Sequence, residues 1–346
     1  VTLDLDGPGE FVTDDTFSVD TSGDSNADGI TITTEFVDTD ETVFTDNNES
    51  PITGGEDGID AKTNNFGKGA IRITTSGVVT GDQNGIFAEA DEASLYINAS
   101  GKVQGTNTSG IDASVERDGV DASLYIEVSE VYGGNYGIEA RNYARGVLQI
   151  TANGHVEGND DSGILAISEK ETDVVIDAHS VTGDNAGIYA KTKDSGDLII
   201  RATGDVTSYG GNFSNNEGIR AVSGGALSIT TDGTVKSQDG YAASEGIYAR
   251  ASGVGAADAE DLAGNSLYGV SLAINANNVT GTTTGIDADN RGSGSMTVTT
   301  TGLVKGIAEE GIRARNEASE TSDLLVDAYD VESGETGIEA YNEGNG

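Results

Sequence analysis

The sequence predicts an all-β protein, a parallel β-solenoid in which each coil has about 26 residues and three short strands. Three signatures predict this fold because they recur in the same order along most of the 346 residues. The first is the tetrapeptide Gly-Ile-x-Ala, which occurs eleven times. The second is an apolar-x-apolar triplet of the Leu-x-Ile type, and the third is a single Val after a turn.

The first strand of each predicted coil is the Gly-Ile-x-Ala tetrapeptide. Successive copies are 24 to 39 residues apart. Apolar residues at alternate positions indicate a strand with one buried face, so we expect the Ile and the Ala to point inward. The copies begin at Gly58, Gly85, Gly110, Gly137, Gly163, Gly187, Gly218, Gly246, Gly285, Gly311 and Gly337.

The second and third strands follow in each unit after turns rich in Gly, Asn, Asp and Ser. In one unit the triplet is Ile71-Arg72-Ile73 and the Val is Val79. Such short strands cannot bury an apolar face alone, but a stack of coils buries each one beside its equivalent in the next coil. We expect glycine at the corners, where the backbone is tight or left-handed. The chain has only two prolines, as expected of strands that need every backbone N–H.

The chain divides into an irregular start and a regular repeat region. Residues 1–53 contain no Gly-Ile-x-Ala, so we expect an N-terminal cap or irregular first coils there. Residues 54–346 hold all eleven repeat units. No cap sequence follows the last unit. This predicts either a fragment of a longer protein or an open end that pairs with another molecule.

The composition argues against several classes of function. There are 59 acidic and 18 basic residues, and the net charge of −41 argues against binding to nucleic acid or to anionic membrane surfaces. The absence of cysteine excludes disulfides, thiol catalysis and thiolate metal sites. No run of about 18 apolar residues is present, so we do not expect this segment to insert directly into a membrane.

The repeat units resemble the passenger region of bacterial autotransporters. The resemblance is carried by units such as Gly-Ile-Phe-Ala (85–88) followed by Ser-Leu-Tyr-Ile-Asn-Ala-Ser-Gly-Lys-Val-Gln-Gly (94–105), and it covers about residues 54–346. It implies a right-handed parallel β-helix that is secreted or held on a bacterial cell surface. It also implies an adhesin-like role, although passengers of this kind include enzymes and plain stalks.

One segment of the N-terminal region matches a calcium-binding loop. Asp24, Asn26 and Asp28 stand at alternate positions before a glycine and Glu35 follows, as in the pattern D-x-[DN]-x-[DN]-G-x5-E. In this pattern the three side chains, the backbone carbonyl of Ile30 and the carboxylate of Glu35 supply oxygen ligands. Calcium is therefore the candidate cofactor, and the alternative is a solvated acidic turn.

The middle residue of the Leu-x-Ile triplet points outward in the predicted strand and forms a column along the solenoid. Tyr96 and Tyr125 are adjacent in this column, and so are Val175 and Ile199. Exposed aromatic or apolar columns on a rigid rod serve as contact faces, so these four residues are the predicted contact face. Two alternatives stay open: a loop covers them, or they only stabilise the stack by cross-strand pairing.

Signals for catalysis are weak. The two histidines, His155 and His179, lie in different units, and we expect them to be structural or surface residues. Carboxylates are so numerous that their pairing does not identify an active site. The longest interval inserts residues around 251–269, whose Ala, Gly and Asp content favours a plain loop over a binding loop. The sequence therefore predicts that the protein is not an enzyme.

These observations favour a non-catalytic extracellular adhesin or self-associating passenger, a rigid β-helical rod on the bacterial cell surface. Its expected partners are further copies of the chain, or a cell-surface glycan or protein. The first alternative is a structural subunit of an extracellular filament, sheath or surface layer that polymerises through β-edges and calcium-assisted contacts. The second is a β-helix enzyme that acts on polysaccharides, for which the sequence offers no distinguishable site.

Overall fold

The computed structural model is a parallel β-solenoid of about 10 turns, with about 26 residues in each turn. It describes residues 51–64, 69–210, 216–238, 244–253, 270–317 and 322–343, and the backbone of five strands between residues 1 and 50. This described part consists of strands and turns without a helix, and it is consistent with a right-handed β-helix. The predicted fold class is confirmed.

The strands of the described part are numbered in chain order. They are β1 (Thr2–Asp4), β2 (Val12–Thr13), β3 (Phe17–Val19), β4 (Ile30–Glu35), β5 (Thr42–Asp46), β6 (Ile52–Gly54), β7 (Ile59–Asn64), β8 (Ile71–Thr75), β9 (Val79–Gly81), β10 (Ile86–Ala90), β11 (Leu95–Gly105), β12 (Ile111–Val115), β13 (Leu124–Gly133), β14 (Ile138–Asn142), β15 (Leu148–Gly158), β16 (Ile164–Ser168), β17 (Val174–Gly183), β18 (Ile188–Lys191), β19 (Leu198–Ala202), β20 (Val206–Ser208), β21 (Ile219–Ser223), β22 (Leu227–Ser237), β23 (Ile247–Ala251), β24 (Val270–Gly281), β25 (Ile286–Asn290), β26 (Ser295–Gly306), β27 (Ile312–Asn316), β28 (Leu324–Ser333) and β29 (Ile338–Asn342).

Two sheets run along the solenoid. Sheet A contains β1, β5, β6, β8, β9, β11, β13, β15, β17, β19, β20, β22, β24, β26 and β28. Sheet B contains β2, β3, β4, β7, β10, β12, β14, β16, β18, β21, β23, β25, β27 and β29. Each repeat unit gives its Gly-Ile-x-Ala strand to sheet B and its Leu-x-Ile and Val segments to sheet A.

Equivalent residues of successive coils pair with one another. In sheet B, Ile86 pairs with Ile111, and Ile111 pairs with Ile138. In sheet A, Leu95 pairs with Leu124. A slip of one residue would turn every apolar side chain outward, so burial of one face fixes this register.

The three predicted strands of a coil occupy two sheets. In β11 the Leu-x-Ile segment and the Val segment continue as one strand, and the pairing register shifts between Ala99 and Lys102. The two segments are separate strands where β8 is followed by β9, and where β19 is followed by β20. An irregularity of this kind bends the strand, so the chain turns a corner while it stays in sheet A.

The core is a stack of apolar side chains between the two sheets. Ile59, Ile86 and Ile111 of sheet B are fully buried, and so are Leu124 and Leu148 of sheet A. Burial of one such side chain contributes roughly 1.5–3 kcal/mol. Since each coil buries its strands only against its neighbours, the stability of the rod is a sum of such nearest-neighbour contributions.

The glycine of Gly-Ile-x-Ala is required by a close approach between coils. A Cβ atom on Gly137 would lie 2.5 Å from the carbonyl oxygen of Gly163 and 2.6 Å from Cγ1 of Val156. Among the described residues, the glycines with positive φ are Gly119 and Gly210, and neither begins a repeat. The glycine at this corner therefore reflects tight packing rather than a left-handed backbone.

Asparagines at equivalent positions, all buried except the exposed Asn342, stabilise the corner after several sheet B strands. Nδ2 of Asn290 donates to Oδ1 of Asn316 at 2.7 Å, and Nδ2 of Asn316 donates to Oδ1 of Asn342 at 2.9 Å. Asn142 has the equivalent position; it donates to the carbonyl of Gly146 at 3.2 Å and accepts a bond from the N–H of Ala144 at 2.9 Å. These amides satisfy one another and the backbone groups of the corner.

The N-terminal strands continue both sheets. β4 pairs in parallel with β7, so that Ile30 is opposite Ile59 and Ile32 is opposite Ala61. β2, β3 and β4 pair antiparallel to one another in that order. The division into residues 1–53 and 54–346 stays a prediction. Residues 254–269 of the predicted insertion lie outside the described residues.

Candidate functional site

The four predicted contact residues lie in one outward column of sheet A, which we call the outer column. Its members, in the order in which they pair, are Arg72, Tyr96, Tyr125, Gln149, Val175, Ile199, Ser228, Ala273, Thr297 and Leu325. Tyr96 is opposite Tyr125, and Val175 is opposite Ile199. The pairing register agrees with the adjacency inferred from the repeat, while the role of these residues in contacts stays a prediction.

The two tyrosines form a stacked pair. The ring centroids of Tyr96 and Tyr125 are 5.1 Å apart, and their planes differ by 7°. The guanidinium of Arg72 lies over the ring of Tyr96, 4.1 Å from its centroid. Stacking and cation–π contacts of this kind contribute roughly 0.5–1.5 kcal/mol each. Cross-strand stabilisation is therefore one function of this pair.

Val175 and Ile199 continue the column after Gln149. Both side chains are half-buried, because each is flanked by the strands of the adjacent coils. Together they therefore form a flat apolar surface that protrudes little from the sheet.

The outer column differs from the rest of the chain in its charge. It contains one charged residue, Arg72, and no carboxylate among its ten members, whereas 59 of the 346 residues of the chain are acidic. The neighbouring outward column of the same sheet contains Glu127, Asp177 and Asp327. The outer column thus lacks negative charge over these ten positions, and it is exposed or half-buried except at Ser228, which is buried.

A groove of about 230 Å³ lies beside the tyrosine pair. Its walls come from four successive coils. The lining residues are Arg72, Ile73, Thr74, Tyr96, Ile97, Asn98, Tyr125, Ile126, Glu127, Gln149 and Thr151. It combines an aromatic pair with amide, hydroxyl, carboxylate and guanidinium groups.

The outer face of sheet B has paired charges. Nε of Arg313 donates to Asp287 at 3.0 Å, and Nη2 makes a second bond to the same carboxylate. Arg220 forms an ion pair with Glu217 at 2.6 Å and lies over the ring of Tyr248 at 4.9 Å. Sequence reasoning missed these pairs. When the repeat units are aligned, Asp287 and Arg313 occupy the same position in successive coils. Opposite charges at one position of adjacent units therefore identify such a pair in the sequence.

Two carboxyl groups near sheet B have strongly raised pKa values. Burial, and then the charge of Glu139 on the adjacent strand, raises the pKa of Asp112 to about 7. Burial, and then the charge of Glu217, raises the pKa of Glu245 to about 7. Both groups are therefore partly protonated near neutral pH, so the charge of this face depends on pH.

The histidines make contacts between coils. Nδ1 of His155 lies 3.0 Å from Oγ of Ser180, and its Nε2 lies 3.4 Å from Oε2 of Glu157. Nδ1 of His179 lies 3.2 Å from Oγ1 of Thr203. Each histidine thus makes a hydrogen bond to a hydroxyl group of the next coil. Whether the chain is an enzyme is not tested by these contacts, so its non-catalytic character stays a prediction.

The calcium prediction also stays a prediction. Asp24, Asn26 and Asp28 lie outside the described residues. Ile30 and Glu35 are the two ends of β4. A strand of this length separates their Cα atoms by about 16 Å. In the part of the chain that the structure describes, no group of three or more His, Asp or Glu side chains could hold a metal ion.

Comparisons with known proteins do not identify the chain. No family model, no curated protein and no solved structure matches the chain. Within the described residues, no helix is both long and apolar enough to cross a membrane. The fold thus defines a class, the parallel β-solenoid repeat proteins, and the autotransporter resemblance stays a prediction.

Proposed function

We propose that this chain is a non-catalytic extracellular rod of the autotransporter-passenger kind, which contacts further copies of itself and cell-surface partners through the outer column. The observation that supports the proposal is the absence of carboxylates from this column in a chain with a net charge of −41.

Electrostatic repulsion is the main obstacle to contact between two such rods. Charges on exposed surfaces repel one another over roughly 8 Å at physiological ionic strength. Acidic columns brought together would add this repulsion at every coil. Contact through the outer column places mostly uncharged side chains opposite one another, with Glu127 and Asp177 one column away. Lateral contact on this face therefore costs less than contact between two acidic columns.

The segment around Val175 and Ile199 supplies the apolar part of the contact. These residues stand on paired parallel strands, so little conformational entropy is lost when they meet a flat partner. Each coil adds one small contact about 4.8 Å from the last, and many weak contacts on one rigid body add up to a stable association.

Sedimentation velocity over a concentration series, with calcium and with chelator, tests the proposal. We expect wild-type rods to associate and Val175→Asp to abolish association, because a carboxylate buried in the contact costs several kcal/mol. The matched control is Val222→Asp, which adds the same charge on the outer face of sheet B, between Lys191 and Arg250. Equal association of the two variants would contradict the proposal.

The alternatives named from the sequence, a calcium-assisted filament subunit and a polysaccharide-active enzyme, stay predictions.

A further inference from the structure

The groove beside the tyrosine pair has the size of a single small ring. Its volume of about 230 Å³ is below the ~300–1,000 Å³ of sites for drug-sized ligands. It lies between the outer column and the next outward column, which contributes Asn98, Glu127 and Thr151. A ligand in it would touch several coils at once.

The polar groups of the groove match a ligand rich in hydroxyl groups. Nδ2 of Asn98 makes one long hydrogen bond of 3.4 Å to Oε2 of Glu127. An amide has two donor hydrogens and a carbonyl acceptor, and a carboxylate has two acceptor oxygens, so this bond uses only part of their capacity. Gln149 adds a second amide. Hydroxyl groups both donate and accept, and their bonds to a carboxylate are charge-assisted.

The aromatic part of the groove is held in place before any ligand binds. Tyr96 lies between Arg72 and Tyr125, and all three stand on paired strands. Side chains that are already ordered cost less entropy when they bind a ligand. Arg72 and Tyr125 cover the two faces of the Tyr96 ring, so a sugar ring would meet the outward ring edges and the hydroxyl groups of the pair.

The charges of the groove favour a neutral ligand. Its lining contains one positive residue, Arg72, and one negative residue, Glu127. The surrounding chain has a net charge of −41, which repels anionic ligands over the Debye length.

We infer that this groove binds one neutral sugar unit of a glycan. Asn98, Glu127 and Gln149 hold its hydroxyl groups, and the outward ring edges of the tyrosine pair contact its apolar face. This inference rests on the proposed function, because it names the ligand class of a rod that contacts cell surfaces.

Saturation-transfer NMR of the full chain with the methyl glycosides of glucose, galactose and mannose tests the inference. The ligands are used at ~10 mM, above the millimolar Kd expected for so small a ligand. We expect transfer to at least one glycoside, and an affinity about tenfold weaker in Asn98→Ala and in Glu127→Gln. The matched control is Asn275→Ala, which lies in the same outward column several coils away and is also exposed. It should bind as the wild type does.

No transfer to any of the three glycosides, or equal transfer in wild type, Asn98→Ala and Glu127→Gln, would overturn the inference. Stronger transfer to methyl glucuronide than to the neutral glycosides would overturn it as well. Circular dichroism of each variant confirms that the strands are intact. If sugar binding fails while Val175→Asp still abolishes association, the proposed function stands and only the sugar site is lost.

Discussion

Replacement of Asp112 by asparagine should stabilise the rod at alkaline pH. Asp112 is half-buried on β12, opposite Glu139 on β14, and burial raises its pKa from 3.8 to about 7. The folded chain therefore binds a proton more tightly than the unfolded chain does. Ionisation of Asp112 destabilises the fold, and stability falls as the pH rises from about 4 through about 7. The asparagine side chain is nearly isosteric with the carboxyl group and has no such charge.

The size of the effect follows from the pKa. A pKa raised from 3.8 to about 7 corresponds to a ceiling of about 4 kcal/mol once the carboxyl is fully ionised. Water reaches part of this side chain, so we expect roughly half of the ceiling, about 2 kcal/mol at pH 8. At pH 4 the expected gain is well under 1 kcal/mol, because the carboxyl of the unfolded chain, whose pKa is 3.8, is still partly protonated.

Hydrogen exchange of the β12 amides measures this local effect, since coils of a solenoid open partly independently of one another. Exchange in Asp112→Asn should be about 30-fold slower than in wild type at pH 8 and nearly equal at pH 4. The control is Glu127→Gln, which removes one charge on the exposed face of sheet A. The same slowing at both pH values, or slowing by the control, would refute this reasoning.

Three further predictions concern the corners and the histidine. Asn142→Ala removes a hydrogen bond to the carbonyl of Gly146 and one from the N–H of Ala144. It should lower the free energy of unfolding by about 1–3 kcal/mol in a denaturation series, and no loss of stability would mean that water replaces the amide. Gly137→Ala should disrupt the stack, because its Cβ would lie 2.5 Å from a carbonyl oxygen; unchanged thermal unfolding would contradict the close approach. Hydrolysis of p-nitrophenyl acetate should be equal in wild type and Ser180→Ala, and a rate lost in the variant would overturn the non-catalytic prediction.

The repeat made the fold and the order of the outward columns predictable. Alternating Ile and Ala in Gly-Ile-x-Ala predicts a buried face, and the fixed order of the signatures predicts which residues pair. Tyr96 therefore lies opposite Tyr125, and Val175 opposite Ile199, as the alignment of units indicates. The repeat alone is enough to predict that equivalent residues stack on one another.

Other features depend on side-chain packing that a repeat pattern does not contain. The pattern separates the Leu-x-Ile and Val segments, but a register shift such as that between Ala99 and Lys102 joins them in one sheet. The raised pKa of Asp112 depends on burial by neighbouring coils as well as on Glu139. The groove depends on the rotamers of side chains from four coils. Such features require coordinates because they come from non-local packing.

The most direct test of the central claim, contact through the outer column, uses the absence of cysteine from the chain. Val175→Cys and Val222→Cys place a single thiol at half-buried valine positions on the outer faces of sheets A and B. Disulfide formation under mild oxidation requires the Cα atoms of two chains to come within ~7 Å. We expect covalent dimers of Val175→Cys and little dimer of Val222→Cys. Equal yields, or a higher yield from Val222→Cys, would contradict it.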